Sequence, residues 1–430
     1  MRTRRAGIDL VYNGAAVNTQ MADYKVNITY TDPASGEADT LDIHINDREH
    51  QWMTAWMPIQ GDTIVAAIKV MDWDNEGDNR ELPCGFFILD DFIFSGPPTE
   101  GTISGLSTPS NGAFKGTARS KTWENITIWE IGQEIADRAG IALAWDVEDE
   151  PVTLKSVEQS EQSDCDFFTS LCNTYGFEVK VYFKKLVVFD REAYKGKETV
   201  ATIKETDIKG WSWSKVLAGT YTGGEFAYSD PITENDVVAV VGMGTRILKK
   251  SGKADSQADA QRKIQAAVNR ANHGATTISI TMMGNARWVA SQCVTVTGVG
   301  KLSGKYYIDK ITHSIGQGYE MSLELSLVES MTEEVVLDAI ERLVAVGVIN
   351  TPAYWRQHYK DVAFLDGMLL NMATRIRVNL GGTSIADVPT ALDVLTRTGV
   401  INSPDYWATK YTALTWLGEL IIKAANALTE

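Results

Sequence analysis

The sequence predicts an α+β, β-rich chain: two barrel-like β units with an α+β lobe between them, then a C-terminal all-α repeat module. Three observations predict this. Short alternating apolar–polar runs, separated by turn clusters, fill residues 1–110 and 206–330. Two helix-periodic runs and two short strands fill residues 111–205. Residues 331–430 repeat themselves at a spacing of 52 residues.

The first unit, 1–110, opens with Asp9-Leu10-Val11-Tyr12 followed by Asn13-Gly14, a two-residue hairpin turn signal. Val26–Tyr30 and Leu41–Ile45 alternate with period two, and Ile64–Val70 and Gly85–Leu89 read as further strands. Thr31–Gly36 and Asp74–Asn79 are turn clusters, and Ser95-Gly96-Pro97-Pro98 punctuates the last part. Such a series suits a small barrel or sandwich.

In the lobe, 111–205, Ile128, Ile131, Ile135 and Ala139 form one helical stripe. Thr127 and Glu130 make a capping box, and Gly140 stops the helix. A second helix spans about Ser163–Tyr175, with Phe167, Phe168, Leu171 and Cys172 inward and Gly176 as its stop. Phe177–Val181 and Leu186–Phe189 are strands. In 206–330, Trp211–Ser214 alternates and Val237–Val241 reads as a buried strand. A helix from about Ser256 to Asn272 is followed by strands at Thr277–Thr281, Cys293–Val296, Tyr306–Ile308 and Met321–Leu325.

The C-terminal module, 331–430, carries Gly347–Trp355 and its near copy Gly399–Trp407. Leu337, Ile340 and Val344 form a helical stripe, and Ser330 with Glu333 can box its start. Thr351-Pro352 and Ser403-Pro404 are N-caps followed by proline at the first helical position. Tyr354, Trp355, Tyr406 and Trp407 are read chiefly as core packing against a neighbouring helix. Partner docking is the functional alternative for the same four residues.

The chain has 430 residues, a prior of roughly three domains at about 150 residues each. Its 40 basic and 56 acidic residues leave a net charge of −16, which argues against a surface that coats nucleic acid. It allows nucleic acid to pass without sticking. No apolar run reaches a membrane span, and the basic start Met1–Gly7 lacks the apolar region of a secretory signal. The four cysteines form no Cys-x-x-Cys pair and read as buried small hydrophobes in a reducing cytoplasm. His44 and His50 lack ligand spacing, and His313 in a strand reads as structural. Gly242-Met243-Gly244 lacks a third glycine, and Asp72/Asp74 and Asp90/Asp91 read as solvated turn charge rather than a glycosidase pair. No catalytic residue, metal site or cofactor is expected.

Three stretches resemble the baseplate hub of contractile phage tails, the late control gene D family, which is related to the N-terminal part of type VI secretion spike proteins. They are Trp52–Asp62 with Leu82–Asp90, then Gln162–Phe177, then Val296–Ile315 with Gly318-Tyr319. The match is most similar to hubs of Gram-positive prophages and phage-tail-like bacteriocins (tailocins), and covers roughly residues 1–330. The resemblance implies two tube-like β-barrels and an intervening lobe. It implies a structural homotrimer that adapts the hexameric tail tube to the trimeric spike around a central channel. It brings no catalytic residues. Its partners would be the tube protein, the spike or tip protein and other baseplate proteins. The particle would be a virion or tailocin, with the chain made in the bacterial cytoplasm. The terminal repeat could hold the tape-measure protein, a neighbouring baseplate chain or the host wall. Similar Ile-Asn-Ser-Pro-x-Tyr-Trp units in wall hydrolases leave a peptidoglycan-directed hydrolase or wall-binding protein as the rival reading.

Overall fold

The computed structural model describes residues 3–18, 24–108, 113–148, 151–229, 235–242, 246–328, 333–358, 365–379, 381–398, 400–401 and 418–429. It comprises two compact units. One is Met1–Lys215 with Gly274–Val328, and the other is Val216–His273 with Glu329–Glu430.

The first unit begins with β1 (Arg5–Tyr12), β2 (Ala15–Ala16), β3 (Lys25–Pro33), β4 (Thr40–Asn46), β5 (Thr63–Met71), β6 (Arg80–Ser95) and β7 (Glu100–Leu106). Asn13 (φ 44°) and Gly14 (φ 86°) adopt the left-handed pair that a two-residue hairpin requires. Period-two alternation sends Leu41, Ile43 and Ile45 of β4, and Ile64, Ala66, Ile68 and Val70 of β5, into one core.

The lobe follows with β8 (Ala118–Thr127), α1 (Ile128–Ala139), β9 (Ala142–Asp146), β10 (Thr153–Ser163), α2 (Asp164–Thr174), β11 (Phe177–Tyr182), β12 (Lys185–Asp190) and α3 (Arg191–Gly196). The Glu130 backbone N donates to Thr127 Oγ1 (3.1 Å), and the Thr127 N donates to the Glu130 carboxylate (2.8 Å), completing the expected box. Ser163 Oγ accepts from the Asp166 N (3.0 Å) at the start of α2. Gly140, at φ 69°, ends α1 in the left-handed conformation. The two helices meet at Gly132, where an added Cβ would sit 2.7 Å from Phe168 Cζ.

The chain continues with β13 (Ala201–Lys204), β14 (Ile208–Lys215), β15 (Gly223–Ser229), β16 (Asp236–Gly242), β17 (Ile247–Ser251), α4 (Gln257–Asn272), β18 (Thr276–Met283), β19 (Cys293–Thr297), β20 (Gly304–Ile315) and β21 (Tyr319–Leu327). Two separate barrels are expected from the sequence, but among the described residues the strands form one open 13-stranded sheet. The reason lies in β20. It runs beside β21 on one edge, while its other edge is divided: Gly304–Tyr307 pair with β19, and Lys310–Ile315 pair with β3. A strand longer than its local partner leaves open donors and acceptors, and β3 takes them. Two cores persist, one around Ile28, Leu41 and Phe87 and one around Ile278, Tyr307 and Leu323.

The expected 206–330 domain is divided. Strands β15, β16 and β17 form a separate sheet, β16–β15–β17, which among the described residues shares no ladder with the larger one. There α4, capped by Ser256, buries Ala260, Ile264 and Val268. Val237–Val241 is not buried throughout: Ala239 and Val241 face the core, but Val238 is 53% exposed, because α4 covers one face of this sheet. The second unit ends with α5 (Glu333–Ala345), α6 (Pro352–His358), α7 (Leu365–Asn379), α8 (Val388–Arg397) and α9 (Gly418–Thr429), around one apolar core. Ser330 and the Ser403-Pro404 cap lie outside the described residues.

Truncating Phe168 to alanine empties the α1–α2 contact. We expect a loss of about 3–5 kcal/mol in lobe stability, read as a lower urea midpoint, with the far-UV spectrum of the folded state retained.

Candidate functional site

The first unit presents an ordered apolar platform at residues 47–62. Asp47 is fully buried, and its carboxylate accepts from the backbone N of Trp52 and of Met53, both at 3.1 Å. The Trp56 N donates to the Gln51 carbonyl (2.9 Å), and Thr54 Oγ1 donates to the His50 carbonyl (2.6 Å). At the far end Asp62 accepts from the Ile59 N (2.8 Å), Asn13 Nδ2 (2.9 Å) and the Tyr12 hydroxyl. Slight burial works the other way, but these donors hold its carboxyl below the usual carboxylate range. Tyr24, Trp52 and Trp56 interlock edge to face at 5.4–6.3 Å. Thus braced, the loop exposes Met53, Trp56, Met57 and Ile59, the last by 72%. Large apolar groups held out by a fixed backbone are the composition of a protein-binding surface.

A second surface is the sheet edge. Among the described residues, strand β14 ends the sheet and pairs only with β18. Lys209–Lys215 are all exposed, including Trp211 (46%) and Trp213 (37%), which share one face. An exposed edge bearing two tryptophans can accept another strand or surface.

Elsewhere in this unit, buried charge joins the lobe to the sheet. Lys180 of β11 reaches Asp32, Asp39 (2.9 Å) and the Pro33 carbonyl (2.8 Å). The second Asp32 oxygen accepts from the Ala290 N at 2.8 Å. Alongside, Arg191 pairs with Glu178 (2.7 Å), which also accepts from the Ser35 hydroxyl (2.6 Å). Burial raises the Asp39 carboxyl, Lys180 draws it down and Asp32 raises it, leaving it at about 7. His313 is buried on β20, stacked on Tyr30 at 5.8 Å and hydrogen-bonded through Nδ1 to the Tyr319 hydroxyl at 2.8 Å. Burial lowers its pKa to about 4 despite the pull of Asp32.

The four candidate docking residues divide. Trp355 is buried in the helical core and Tyr354 is half-buried against it, their rings 6.2 Å apart. The Thr351 carbonyl starts their helix by accepting from both backbone N atoms. Tyr406 and Trp407 lie outside the described residues. Asp74 pairs with Arg80, and Asp90 accepts from Gln60 Nε2 at 3.2 Å. Among the described residues no three His, Cys, Asp or Glu side chains converge as a metal site, and no helix is long and apolar enough to cross a membrane. Sequence reading missed the platform as a surface, although an apolar run ending in Pro58 and Gly61 is unusually apolar for a loop. It also placed Asp32 in a turn cluster, and nothing local marks that residue as buried.

Over about 75% of its length the chain shares its fold with tail proteins of known structure. The tail protein from Neisseria meningitidis MC58 superposes with a TM-score of 0.59 at 15% identity, covering 75% of this chain and 96% of that one. The 43 kDa tail protein of prophage MuSo2 from Shewanella oneidensis gives 0.57 at 15% identity, covering 74% and 98%. In sequence, the chain is a relative of phage baseplate hub proteins. It is 24% identical over 385 residues to the probable baseplate hub protein of Escherichia phage 186, covering 75% of this chain and 94% of that protein. The probable baseplate hub protein of Escherichia phage P2 is 27% identical over 222 residues, covering 50% and 54%. The profile of a family described as YQBQ-like matches residues 246–326.

Replacing Lys180 by methionine strands Asp32 and Asp39 without their cation. We expect about 3–5 kcal/mol of lost stability, measured by denaturant unfolding. The lowered His313 pKa gives a second outcome. Unfolded histidine binds a proton near pH 6.5 and the folded one only near 4, so the contribution is intact above 6.5 and is lost as pH falls through that window. Over it, the wild type should lose on the order of 3 kcal/mol more than His313→Gln, read from unfolding midpoints at each pH.

Proposed function

We infer that this chain is the structural baseplate hub of a phage tail. The observation that carries the reading is the alignment spanning 94% of the phage 186 hub protein. The fold shared with phage tail proteins supports it. The role is architectural rather than enzymatic, and the place of action is the tail of a virion or tailocin, contractile in type.

The hub works as a homotrimer. Each protomer supplies two β-rich halves, β1–β7 and β14 with β18–β21. Six such halves make the tube-like barrel segments of a pseudo-sixfold ring. One face of the ring meets the hexameric tube, and the other holds the trimeric spike or tip protein. The exposed β14 edge and the 47–62 platform favour this reading, because an unassembled chain leaves both uncovered. Other baseplate proteins bind the outer surface, and the tape-measure protein is a partner for the C-terminal module through Tyr354, Tyr406 and Trp407, Trp355 being taken up by the helical core. The net charge of −16 per chain, tripled in the ring, gives an acidic channel wall past which DNA slides without adhering.

Native mass measurement tests the reading: the purified protein should weigh three chains. Exchanging Trp211 and Trp213 for lysine together should weaken the trimer by roughly a thousandfold, since an interface tryptophan acting as a hot spot contributes ~2 kcal/mol. The folded spectrum should be unchanged. A strict monomer that binds neither tube nor spike protein overturns the assignment. Clearing of purified cell walls, abolished by one acidic substitution, would favour the hydrolase instead.

A further inference from the structure

Duplicated sequence often gives two units that each close on themselves. Here the helices pair across the copies. A shift of 52 residues carries α5 onto α8 and α7 onto α9. The turn after each first helix is built alike. The Leu343 carbonyl accepts from the N of Val348 (2.9 Å) and Ile349 (3.3 Å). The Leu395 carbonyl accepts from the N of Val400 (2.9 Å) and Ile401 (3.2 Å). Equivalent positions are equally buried: Leu343 with Leu395, Leu369 with Ile421, Met372 with Ala424, all in one core.

The packing is reciprocal. Helix α5 of the first copy lies chiefly against α9 of the second, and α8 of the second lies chiefly against α7 of the first. Exchanging the copies turns each of these pairs into the other, which is the rule of a two-fold, isologous interface. The remaining pair between the copies, α7 with α9, joins equivalent helices, as expected across a dyad.

We propose that residues 331–430 are a symmetric dimer carried on one chain. The apolar face of each unit is an assembly surface whose fitting partner is the other unit of the duplication, first copy to second. This chain supplies that partner in cis, and another copy of the chain can supply it in trans. The inference does not depend on the baseplate role.

Two full-length variants test it. Leu343→Asp spoils α5 and leaves the second copy intact, while Leu395→Asp spoils α8 and leaves the first intact. Units that close on themselves would leave each variant with one protected copy, and mixing would change nothing. Under exchange, each single variant has a protease-sensitive C-terminal region. Unfolding and refolding the two together then pairs the sound first copy of one chain with the sound second copy of the other. We expect cleavage within 331–430 to slow several-fold in the co-refolded mixture. Cleavage at the average of the two single rates overturns the proposal. Because the readout is confined to the C-terminal region, association through the sheet cannot imitate it. If neither variant is recovered folded, cysteine pairs in the otherwise unaltered chain decide. Ala339→Cys with Ala424→Cys, joining α5 to α9, should oxidise faster than Ala339→Cys with Met372→Cys, joining α5 to α7. The reverse order overturns the proposal.

Discussion

The ladder between β3 and β20 is the constraint on which the first unit depends. It spans Lys310–Ile315 on one strand and Ile28–Pro33 on the other, and makes one sheet of strands that begin nearly three hundred residues apart. At its end Asp32 draws in the lobe through Lys180 and fixes the Ala290 backbone. Midway along it His313 stacks on Tyr30. Without this pairing the two apolar cores would belong to two small bodies, each with an open edge. A buried ion pair with its hydrogen bonds complete adds little net stability over apolar packing, but it tolerates few alternative arrangements. Position, more than strength, is what the Asp32–Lys180 contact supplies.

The parts legible in the sequence were those governed by short-range chemistry. Thr127 with Glu130, Ser163 with Asp166 and Ser256 with Asp259 cap helices within one turn of themselves, so composition and spacing locate them. Asn13-Gly14 set its hairpin for the same reason. Joining the β halves was illegible, because period-two alternation states which face is buried but not which strand lies alongside. Val237–Val241 shows the same limit: a continuous apolar run suggests burial on both faces, and only the structure reveals that Val238 is half exposed. At the surfaces, Trp355 was legible as core from its repeat, whereas Trp56 and Trp211 look in sequence like any other buried tryptophan.

On the proposed structural role, function lies in the surfaces this molecule presents. The fold tolerates wide sequence change: it is shared with a solved tail protein at 15% identity. The two units divide this work. The larger displays an apolar platform and a sheet edge bearing two exposed tryptophans. The smaller turns its apolar helix faces inward and satisfies them with its own duplicate.

The platform at residues 47–62 has an energetic consequence. Its backbone is pinned at both ends by Asp47 and Asp62, and its rings are locked by Tyr24. A partner that covers Met53, Trp56, Met57 and Ile59 therefore meets side chains whose supporting loop is already ordered. Little conformational entropy remains to be lost on association, so most of the water released from these side chains counts towards affinity. The expense of immobilising the loop is met during folding, before any partner arrives.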